Sequence, residues 1–307
     1  MLIIRNKPDF GLNPSVAAIG FFDGVHLGHR YLIDQVKKLA VEKNLHSQLI
    51  TFPVHPRKVL DTTYMPRLLT TCDEKIDLLS QTGIDYCSLL DFTAQISHLS
   101  AWEFMRDVLL NTFHVKCLVI GYDHRFGFNR NESFDDYVKY GLKLGIDVVL
   151  AAPYIMNNDT YVSSSVIRSC LSQGDVVKAS LLLGYDYFIN GKVIGGFKVG
   201  RTIGFPTANI RVDDPDKLIP ADGVYAVCVG LKGNIYKGMM NIGHRPTMDN
   251  GDNRSVEVHI LDFHESIYDC PIHITFKQYI RPEIKFSDVG ELIKQLESDA
   301  VSVRMLL

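Results

Sequence analysis

The spacing of apolar residues changes near residue 184, and that change most limits what this chain can fold into. Before it, short apolar runs alternate with stretches of helical period. After it, apolar and polar residues alternate one by one between clusters of glycine and proline. A chain of 307 residues is long enough for about two domains. We therefore predict two unlike domains, residues 1–184 and residues 185–307.

The first half carries the pattern of a layered α/β domain. Amphipathic segments lie between its apolar runs, and Ser100 with Glu103 predicts a capping box at the start of one helix. Two short helices, from about residue 164 to 171 and from the Asp175 cap to Gly184, are expected to end this half. Such alternation is typical of a parallel sheet covered on both faces, with ligands beyond the carboxyl ends of the strands. The predicted strands are residues 15–20, 48–52, 88–90, 117–121 and 147–152.

The second half carries the pattern of an all-β domain. Strict alternation in residues 224–229, 255–260 and 272–276 predicts strands of an antiparallel barrel or sandwich. The chain then returns to helical period, and Asp288 with Glu291 predicts the cap of a last helix. Two unlike domains suggest two sites.

Composition and charge exclude several classes of protein. Hydrophobic residues make up 46% and charged residues 22% of the chain, ordinary globular values that exclude a disordered protein. The net charge is -3 and no basic stripe is visible, so a nucleic-acid partner is not expected. Arg5, Lys7 and Asp9 interrupt any leader peptide, and no apolar run approaches the ~20 residues of a membrane span. We therefore expect a cytoplasmic protein with no membrane partner. The six cysteines are scattered and form no C-x-x-C pair, so neither zinc nor a disulfide framework is expected.

A turn rich in glycine and histidine follows the first predicted strand. Residues 20–29 read Gly-Phe-Phe-Asp-Gly-Val-His-Leu-Gly-His, and a helix follows them. Gly24 and Gly28 allow a ligand to approach the backbone, and the helix start directs N–H groups at it. His26 and His29 are three residues apart, so both can face that ligand and donate hydrogen bonds to a polyphosphate. The alternative is a tight turn with two surface histidines.

Three further segments of the first half carry polar motifs. Thr51-Phe-Pro-Val-His-Pro56 follows the second predicted strand, Gly121-Tyr-Asp-His-Arg-Phe-Gly127 follows a later one, and Val162-Ser-Ser-Ser-Val-Ile-Arg168 begins a helix. In the last of these, serine hydroxyls and an arginine stand at a helix start, where they can hold phosphates. Simple capping of the helix by Ser164 or Ser165 is the alternative.

Together these motifs resemble the nucleotidylyltransferase superfamily, whose hallmark is H-x-G-H after the first strand. Within it they resemble the FMN adenylyltransferase module of bacterial bifunctional riboflavin kinase/FAD synthetases. The resemblance implies a Rossmann-like domain in which His26 and His29 stabilise the α-phosphate and the leaving group. The chain departs from the family pattern at Val54, where proline usually precedes the histidine, at His124 and at Asn131-Glu132. The resemblance further implies that ATP and its phosphates are bound by Gly20, Asp23, Gly24, Gly28, Ser164, Ser165 and Arg168, and that His55, Asp123 and Arg125 lie near flavin or nucleotide.

The second half begins with another glycine-rich segment, residues 191–209, which read GKVIGGFKVGRTIGFPTAN. The stretch from Gly195 to Thr202 is close to a P-loop. However, Arg201 stands where a P-loop has lysine, and Pro206 prevents a continuing helix, so we reject a P-loop. A glycine-rich flap over phosphates in a β-barrel fits these residues better.

Three polar side chains of this half are candidates for metal binding and catalysis. Thr207 and Asn209 offer hard oxygen donors two residues apart, which suit Mg²⁺ and ATP phosphates, although a plain turn would use the same residues. Glu257 lies in a strand whose apolar set includes Val256 and Val258, so its side chain should point away from the core. That face is either plain solvent or a substrate groove.

This half resembles the riboflavin kinase signature, and the match now covers nearly the whole chain with its motifs in family order. The resemblance implies that Thr207 and Asn209 hold the metal. It also implies that Glu257 accepts the proton of riboflavin's terminal hydroxyl as that hydroxyl attacks the γ-phosphate. Further matching segments are Gly223-Val-Tyr225, Gly238 to Thr247, Glu257 to Phe263 and Arg281 to Phe286. The remaining implied contacts are Gly200, Arg201 and Thr202 with phosphates, and Asn241 and Arg281 with flavin or nucleotide.

The function implied is bifunctional flavin cofactor biosynthesis. ATP phosphorylates riboflavin to give FMN and ADP, and FMN then receives AMP from ATP to give FAD and pyrophosphate, with Mg²⁺ as cofactor. No covalent nucleophile is evident, so catalysis should consist of positioning and charge neutralisation. One alternative is a nucleotidylyltransferase for another phosphorylated acceptor, against which the kinase motifs count. The other is a flavin-binding carrier that has lost catalysis, against which intact His29, Asn209 and Glu257 count.

Overall fold

The computed structural model describes residues 1–6, 12–121, 125–128, 131–156, 160–196, 199–244 and 254–307. The chain divides into two compact units, Met1–Ser164 and Ser165–Leu307. None of the helices in the described ranges is long and apolar enough to cross a membrane.

The first unit contains a six-stranded sheet with the strand order β1-β4-β3-β2-β5-β6, and all of its pairings are parallel. Its strands are β1 (Leu2–Arg5), β2 (Ser15–Ile19), β3 (His46–Thr51), β4 (Tyr86–Leu89), β5 (Val115–Ile120) and β6 (Asp147–Leu150). The predicted parallel sheet is confirmed, and the ends of the five predicted strands are displaced by at most two residues. β1 lies at the edge of the sheet, where only Ile4 of its four residues is buried. β1 is not among the predicted strands, although Leu2 to Ile4 form a short apolar run. A separate ribbon pairs β7 (Ile155–Met156) with β8 (Thr160–Tyr161).

Helical segments cover the sheet of the first unit. They are α1 (Leu27–Lys43), α2 (Pro56–Leu60), α3 (Cys72–Ser80), α4 (Ala94–Ser97), α5 (Ala101–Glu103), its π-helical continuation Phe104–Thr112, and α6 (Phe134–Leu144). α1 buries Ile33 and Val36 and lies along β2 and β3. The π-helical segment packs Phe104 into a core cluster that contains Ile19 and Ile120. Every residue of β2 is buried, as expected for a central parallel strand covered on both faces.

The second unit is built around a closed antiparallel barrel of six strands in the order β10-β13-β12-β11-β14-β9, with β9 pairing back to β10. The strands are β9 (Phe188–Ile194), β10 (Ala208–Val212), β11 (Gly223–Leu231), β12 (Asn234–His244), β13 (Arg254–Ile260) and β14 (Pro271–Arg281). The three predicted strands are parts of β11, β13 and β14. The sequence left a barrel and a sandwich open. The sheet is closed and has no free edges, whereas a sandwich would have them, so the barrel is confirmed.

The helices of the second unit pack on this barrel. They are α7 (Ser164–Ser172), which begins at the last residue of the first unit, α8 (Val176–Leu183), the short α9 (Val199–Thr202) and α10 (Val289–Leu306). The predicted caps are present, since Asp175 accepts from the N–H of Lys178 and Asp288 accepts from that of Glu291. α10 buries Val303 against a cluster of barrel residues.

The division of the chain differs from the boundary expected near residue 184. The Leu171 carbonyl accepts from the N–H of Ala221, and Ser180 Oγ accepts from the N–H of Tyr187, so α7 and α8 are tied to the barrel unit. The sequence pattern assigned both helices to the first domain, because helical period is shared with that half. The functional boundary between residues 184 and 185 stays a prediction.

Candidate functional sites

The turn after β2 has an unusual backbone. Phe22 has φ 54°, Gly24 has φ 79° and Val25 has φ 38°, a value that β-branched residues rarely adopt. The buried Asp23 carboxylate accepts from the N–H groups of Leu69 and Thr70 at 2.9 and 3.1 Å. These contacts hold the turn, whereas a contact of Asp23 with ATP stays a prediction.

The two histidines predicted to act together do lie together. The rings of His26 and His29 stack with centroids 3.6 Å apart and planes 15° from parallel. His26 is the N-cap of α1, because its Nδ1 accepts from the N–H of His29 at 3.2 Å. Burial lowers the pKa of His29 well below 6.5, and the nearby His26 and Lys75 lower it further. Nδ1 of His29 is buried and has no hydrogen-bond partner among the described residues.

Small residues and a serine complete the surroundings of this turn. A Cβ on Gly28 would lie 3.2 Å from the His26 ring, so glycine leaves room for the imidazole. A Cβ on Gly20 would similarly lie 3.3 Å from the Phe22 ring. Ser164 Oγ donates to the carbonyl of Asp23 at 3.0 Å, which brings the start of the predicted serine motif to the turn.

Other residues predicted for the first site are placed less directly. His55 caps α2 through its Nδ1, which accepts from the N–H of Arg57. Arg125 is exposed, and Asp123 and His124 lie outside the described residues. Ser165 and Arg168 belong to the second unit. The predicted roles of all these residues toward flavin, nucleotide or phosphates stay predictions.

A buried lysine beside this turn was missed by the sequence reasoning. Lys75 on α3 is 1% exposed, and its Nζ donates to the carbonyls of Phe21 and Phe52 at 3.0 and 2.8 Å. Burial lowers its pKa to about 8. Helical spacing could have indicated its burial, because Lys75 lies three residues after Cys72 and four before Leu79, on the apolar face of α3.

The barrel holds a cavity of about 340 Å³ between its wall and α10. Five predicted site residues line it: Gly200, Thr207, Asn241, Glu257 and Arg281. A second cavity of about 440 Å³ is lined by Arg201, Thr207, His264 and Tyr268 among others. Thr207 is part of the lining of both cavities.

The oxygen donors predicted for a metal lie close together. Thr207 Oγ1 donates to Glu257 Oε2 at 3.2 Å, and Asn209 on β10 is directly paired with Glu257 on β13. Asn209 is buried, and a Cβ on Gly196 would lie 2.1 Å from its amide nitrogen. Glu257 points away from the buried Val256 and Val258, as predicted. The set of hydroxyl, amide and carboxylate oxygens fits a hard divalent cation.

The described part of the chain has no metal site built from protein side chains alone. It contains no group of three or more histidine, cysteine, aspartate or glutamate side chains that could hold a metal ion. A cation at Thr207 and Asn209 would therefore take most of its ligands from a bound phosphate and water.

The glycine-rich segment does not form a P-loop. α9 spans only four residues, and Gly204 after it has φ 84°. A Cβ on Gly200 would lie 2.2 Å from the Phe205 carbonyl, so glycine permits this close approach. Arg201 and Thr202 are exposed, and Arg201 donates to the Tyr268 hydroxyl at 3.3 Å. Residues 197–198 lie outside the described ranges.

Two further predicted residues hold neighbouring protein groups. Asn241 Nδ2 donates to Glu283 Oε1 at 3.2 Å. The Arg281 guanidinium forms an ion pair with Asp299 of α10, at 2.7 Å between Nη2 and Oδ2. The sequence reasoning missed Asp299. It could have been recognised as a carboxylate on the buried face of the last helix. Contacts of Asn241 and Arg281 with flavin or nucleotide stay predictions.

Comparison with known proteins assigns each half to a family. The FAD synthetase model matches residues 11–166, and the riboflavin kinase model matches residues 183–307. The bifunctional riboflavin kinase/FMN adenylyltransferase of Listeria monocytogenes is 40% identical over 94% of this chain and 91% of its own length. The enzyme of the same name from Bacillus subtilis is 37% identical over 93% and 90%.

A solved structure shares the fold along the whole length. It is described as a macrolide-efflux protein of Streptococcus pneumoniae, has 32% sequence identity and a TM-score of 0.89, and the match covers 99% of both chains. Since two family models together match most of the chain, and curated relatives above 30% identity match nearly all of it, the assignment is secure. The chain belongs to the bifunctional riboflavin kinase/FMN adenylyltransferase family.

Proposed function

We propose that the barrel unit phosphorylates riboflavin with ATP to give FMN and ADP, and that the α/β unit transfers AMP from ATP to FMN to give FAD and pyrophosphate. The observation that carries this proposal is the position of the Thr207–Glu257 pair, because Glu257 lines one cavity and Thr207 lines both. A phosphoryl transfer between two substrates needs their reacting atoms to meet at one point. The stacked histidines supply the corresponding point in the other unit.

In the kinase step, riboflavin occupies the cavity of about 340 Å³ and the ATP phosphates approach from the larger one. Glu257 accepts the proton of the terminal hydroxyl, whose oxygen forms a bond to the γ-phosphorus. The bond between that phosphorus and the β,γ-bridging oxygen breaks, and ADP leaves. Arg201, with Gly200 and Thr202, faces the phosphates from α9.

Thr207 and Asn209 would hold the divalent cation that accompanies ATP, and we propose that it is Mg²⁺. When bound, it would neutralise charge on the phosphates. The Thr207 hydroxyl already points at the carboxylate of Glu257. The same two side chains can therefore align the cation and the base with one reacting hydroxyl.

In the adenylyl transfer, a phosphate oxygen of FMN attacks the α-phosphorus of ATP, and the bond from that phosphorus to the α,β-bridging oxygen breaks. Because Nδ1 of His26 accepts a hydrogen bond, its ring proton is on Nε2. We assign His26 and His29 as donors to the charge that develops on the α-phosphate and on pyrophosphate. Ser164, Ser165 and Arg168 hold the β- and γ-phosphates, while Gly20, Asp23, Gly24 and Gly28 shape the turn around ATP.

The test is incubation of the purified chain with riboflavin, ATP and Mg²⁺, followed by chromatographic separation of riboflavin, FMN and FAD. We expect FMN to form first and FAD to follow, with ADP and pyrophosphate as co-products. FMN supplied alone with ATP should give FAD directly. Conversion of riboflavin to FMN without any FAD would reject the adenylyl transfer, and failure to consume riboflavin would reject the kinase.

A further inference from the structure

Lys75 carries a buried ammonium group that the proposed adenylyl transfer does not use. Its Nζ bonds the carbonyls of Phe21 and Phe52. Phe21 follows β2 and begins the turn that carries both histidines, while Phe52 follows β3 and precedes His55. β2 and β3 are parallel neighbours, so the loops that follow them leave the sheet at the same end. One ammonium group therefore joins these two loops.

The same ammonium also contacts an aromatic ring of the turn. Nζ of Lys75 lies 4.1 Å from the centroid of the Phe21 ring, a cation–π distance. The Phe21 ring meets His55 edge-on at 4.7 Å, and His55 meets Tyr64 at 5.3 Å. Loss of the ammonium would thus release both the backbone and the ring of Phe21, and with them the ring against which His55 packs.

The segment just before α3 holds the turn at further points. Thr70 Oγ1 accepts from the N–H of Gly24 at 3.0 Å, and the Asp23 carboxylate accepts from backbone N–H groups of residues 69 and 70. A positive φ at Val25 persists only where surrounding contacts enforce it. Lys75, one helical turn into α3, is the charged member of this set of contacts.

We propose that Lys75 is a positioning residue for adenylyl transfer, whose ammonium group locks together the turn of His26 and His29 and the loop of His55. This inference rests on the proposed function of the α/β unit. The backbone carbonyls that accept hydrogen bonds from Lys75 do not bind phosphate themselves. Lys75 therefore acts through the histidines.

Lys75 also acts on His29 through charge. The titratable groups that face His29 are His26, stacked on it at the start of α1, and Lys75 from α3, and both lower its pKa in addition to burial. Asp23 in turn faces Lys75. Removing the ammonium should therefore move the titration of His29 upward, toward 6.5, whereas removing an uncharged contact should not.

The experiment compares Lys75→Met with Lys37→Met in the full chain. Lys37 on α1 also donates to a backbone carbonyl, but to that of Thr82 at 2.7 Å, and its side chain is 35% exposed. We expect Lys75→Met to lower kcat for FMN adenylylation by about 100-fold, the size of effect that a displacement of about 1 Å produces. NMR of histidine-labelled protein, assigned with His29→Gln, should show the His29 titration at higher pH. Riboflavin kinase activity, and all readouts in Lys37→Met, should match the wild type.

A second variant keeps the test decisive if Lys75→Met does not fold, as judged by Trp102 fluorescence. Thr51 is fully buried and donates to the same Phe21 carbonyl at 3.1 Å, so Thr51→Val removes an uncharged contact at constant size. We expect a lower kcat for adenylylation with an unchanged His29 titration. Wild-type kcat in Thr51→Val, or a folded Lys75→Met with wild-type kcat and His29 titration, would overturn the inference. Failure of the proposed function would instead appear as absence of FAD synthesis in the wild type.

Discussion

Replacement of Asp299 by alanine should destabilise the barrel unit by about 3 kcal/mol. The Asp299 side chain is 2% exposed and that of Arg281 is 14% exposed. The guanidinium donates to Asp299 from Nε at 3.0 Å and from Nη2 at 2.7 Å, and Gln295 donates to the other carboxylate oxygen at 2.8 Å. Removing one partner of such a pair leaves an uncompensated buried charge, at a cost of about 3–5 kcal/mol. We expect the lower end because Nη1 of Arg281 keeps its bond to the Pro282 carbonyl.

Two optical signals can separate this effect from changes in the rest of the chain. The single tryptophan of the sequence, Trp102, lies in the first unit beside Tyr140, so its fluorescence reports that unit alone. Unfolding of the barrel is followed by far-ultraviolet circular dichroism and by thermal loss of kinase activity. A destabilisation of about 3 kcal/mol should lower the Tm of the barrel by roughly 10 °C, and the fluorescence transition should stay in place.

The same helix offers a matched control. Arg304 of α10 forms a bidentate pair with Asp262, but both side chains are exposed, so Asp262→Ala should have a much smaller effect on the barrel transition. The double variant Arg281→Met/Asp299→Leu should recover much of the loss, because it leaves no buried charge unpaired. An Asp299→Ala barrel that unfolds at the wild-type temperature would refute the reasoning, as would an equal loss in Asp262→Ala.

Three further predictions concern the two activities and their separation. His29→Ala should lower FAD formation by about 10²–10³-fold, since a donor to developing charge is lost, while FMN still accumulates from riboflavin; FAD synthesis at the wild-type rate would reject the assignment. Glu257→Gln should lower kinase turnover by about 10²–10⁴-fold through loss of the base and leave adenylylation of supplied FMN unchanged; an equal fall in both activities would indicate misfolding instead. A fragment of residues 185–307 should fold and make FMN from riboflavin with Mg-ATP, and a fragment of residues 165–307 should have the higher Tm because it keeps α7 and α8. A folded but inactive longer fragment would show that the kinase site needs the first unit.

Local sequence patterns predicted the parts of the fold that depend on local chemistry. The capping box of Ser100 and Glu103 and the caps at Asp175 and Asp288 are formed by residues three positions apart, and all are present. The H-x-G-H turn is equally local, so the stacking of His26 on His29 follows from their spacing at the start of one helix.

Features that depend on distant segments could not be predicted in this way. In β12 the consecutive residues Gly238, Met239 and Met240 are all buried, so simple alternation does not predict it as a strand. Its position is set by pairing with β11 and β13 in the closed barrel. β10 has only five residues and begins in the last two residues of the glycine-rich segment, so it shows too little alternation to be predicted as a strand.

The two buried charges that support the sites were missed for a related reason. Taken alone, a lysine or an aspartate is expected at the surface, because burial of an unpaired charge is costly. Lys75 is buried because two carbonyls from the ends of β2 and β3 converge on its Nζ, and Asp299 because Arg281 at the end of β14 reaches α10. Only the folded chain brings these partners together.

Both proposed reactions transfer phosphorus groups directly between bound substrates, and such chemistry depends on positioning rather than on a covalent intermediate. The reacting side chains are therefore only as effective as the elements that fix them. In the α/β unit an ammonium joins the loops that carry His26, His29 and His55. In the barrel, the Arg281–Asp299 pair fixes the helix that closes the cavity beside Glu257. Each site thus combines motif residues that a sequence reveals with a buried charge that only the tertiary structure reveals, and substitution of either kind should impair one activity and spare the other.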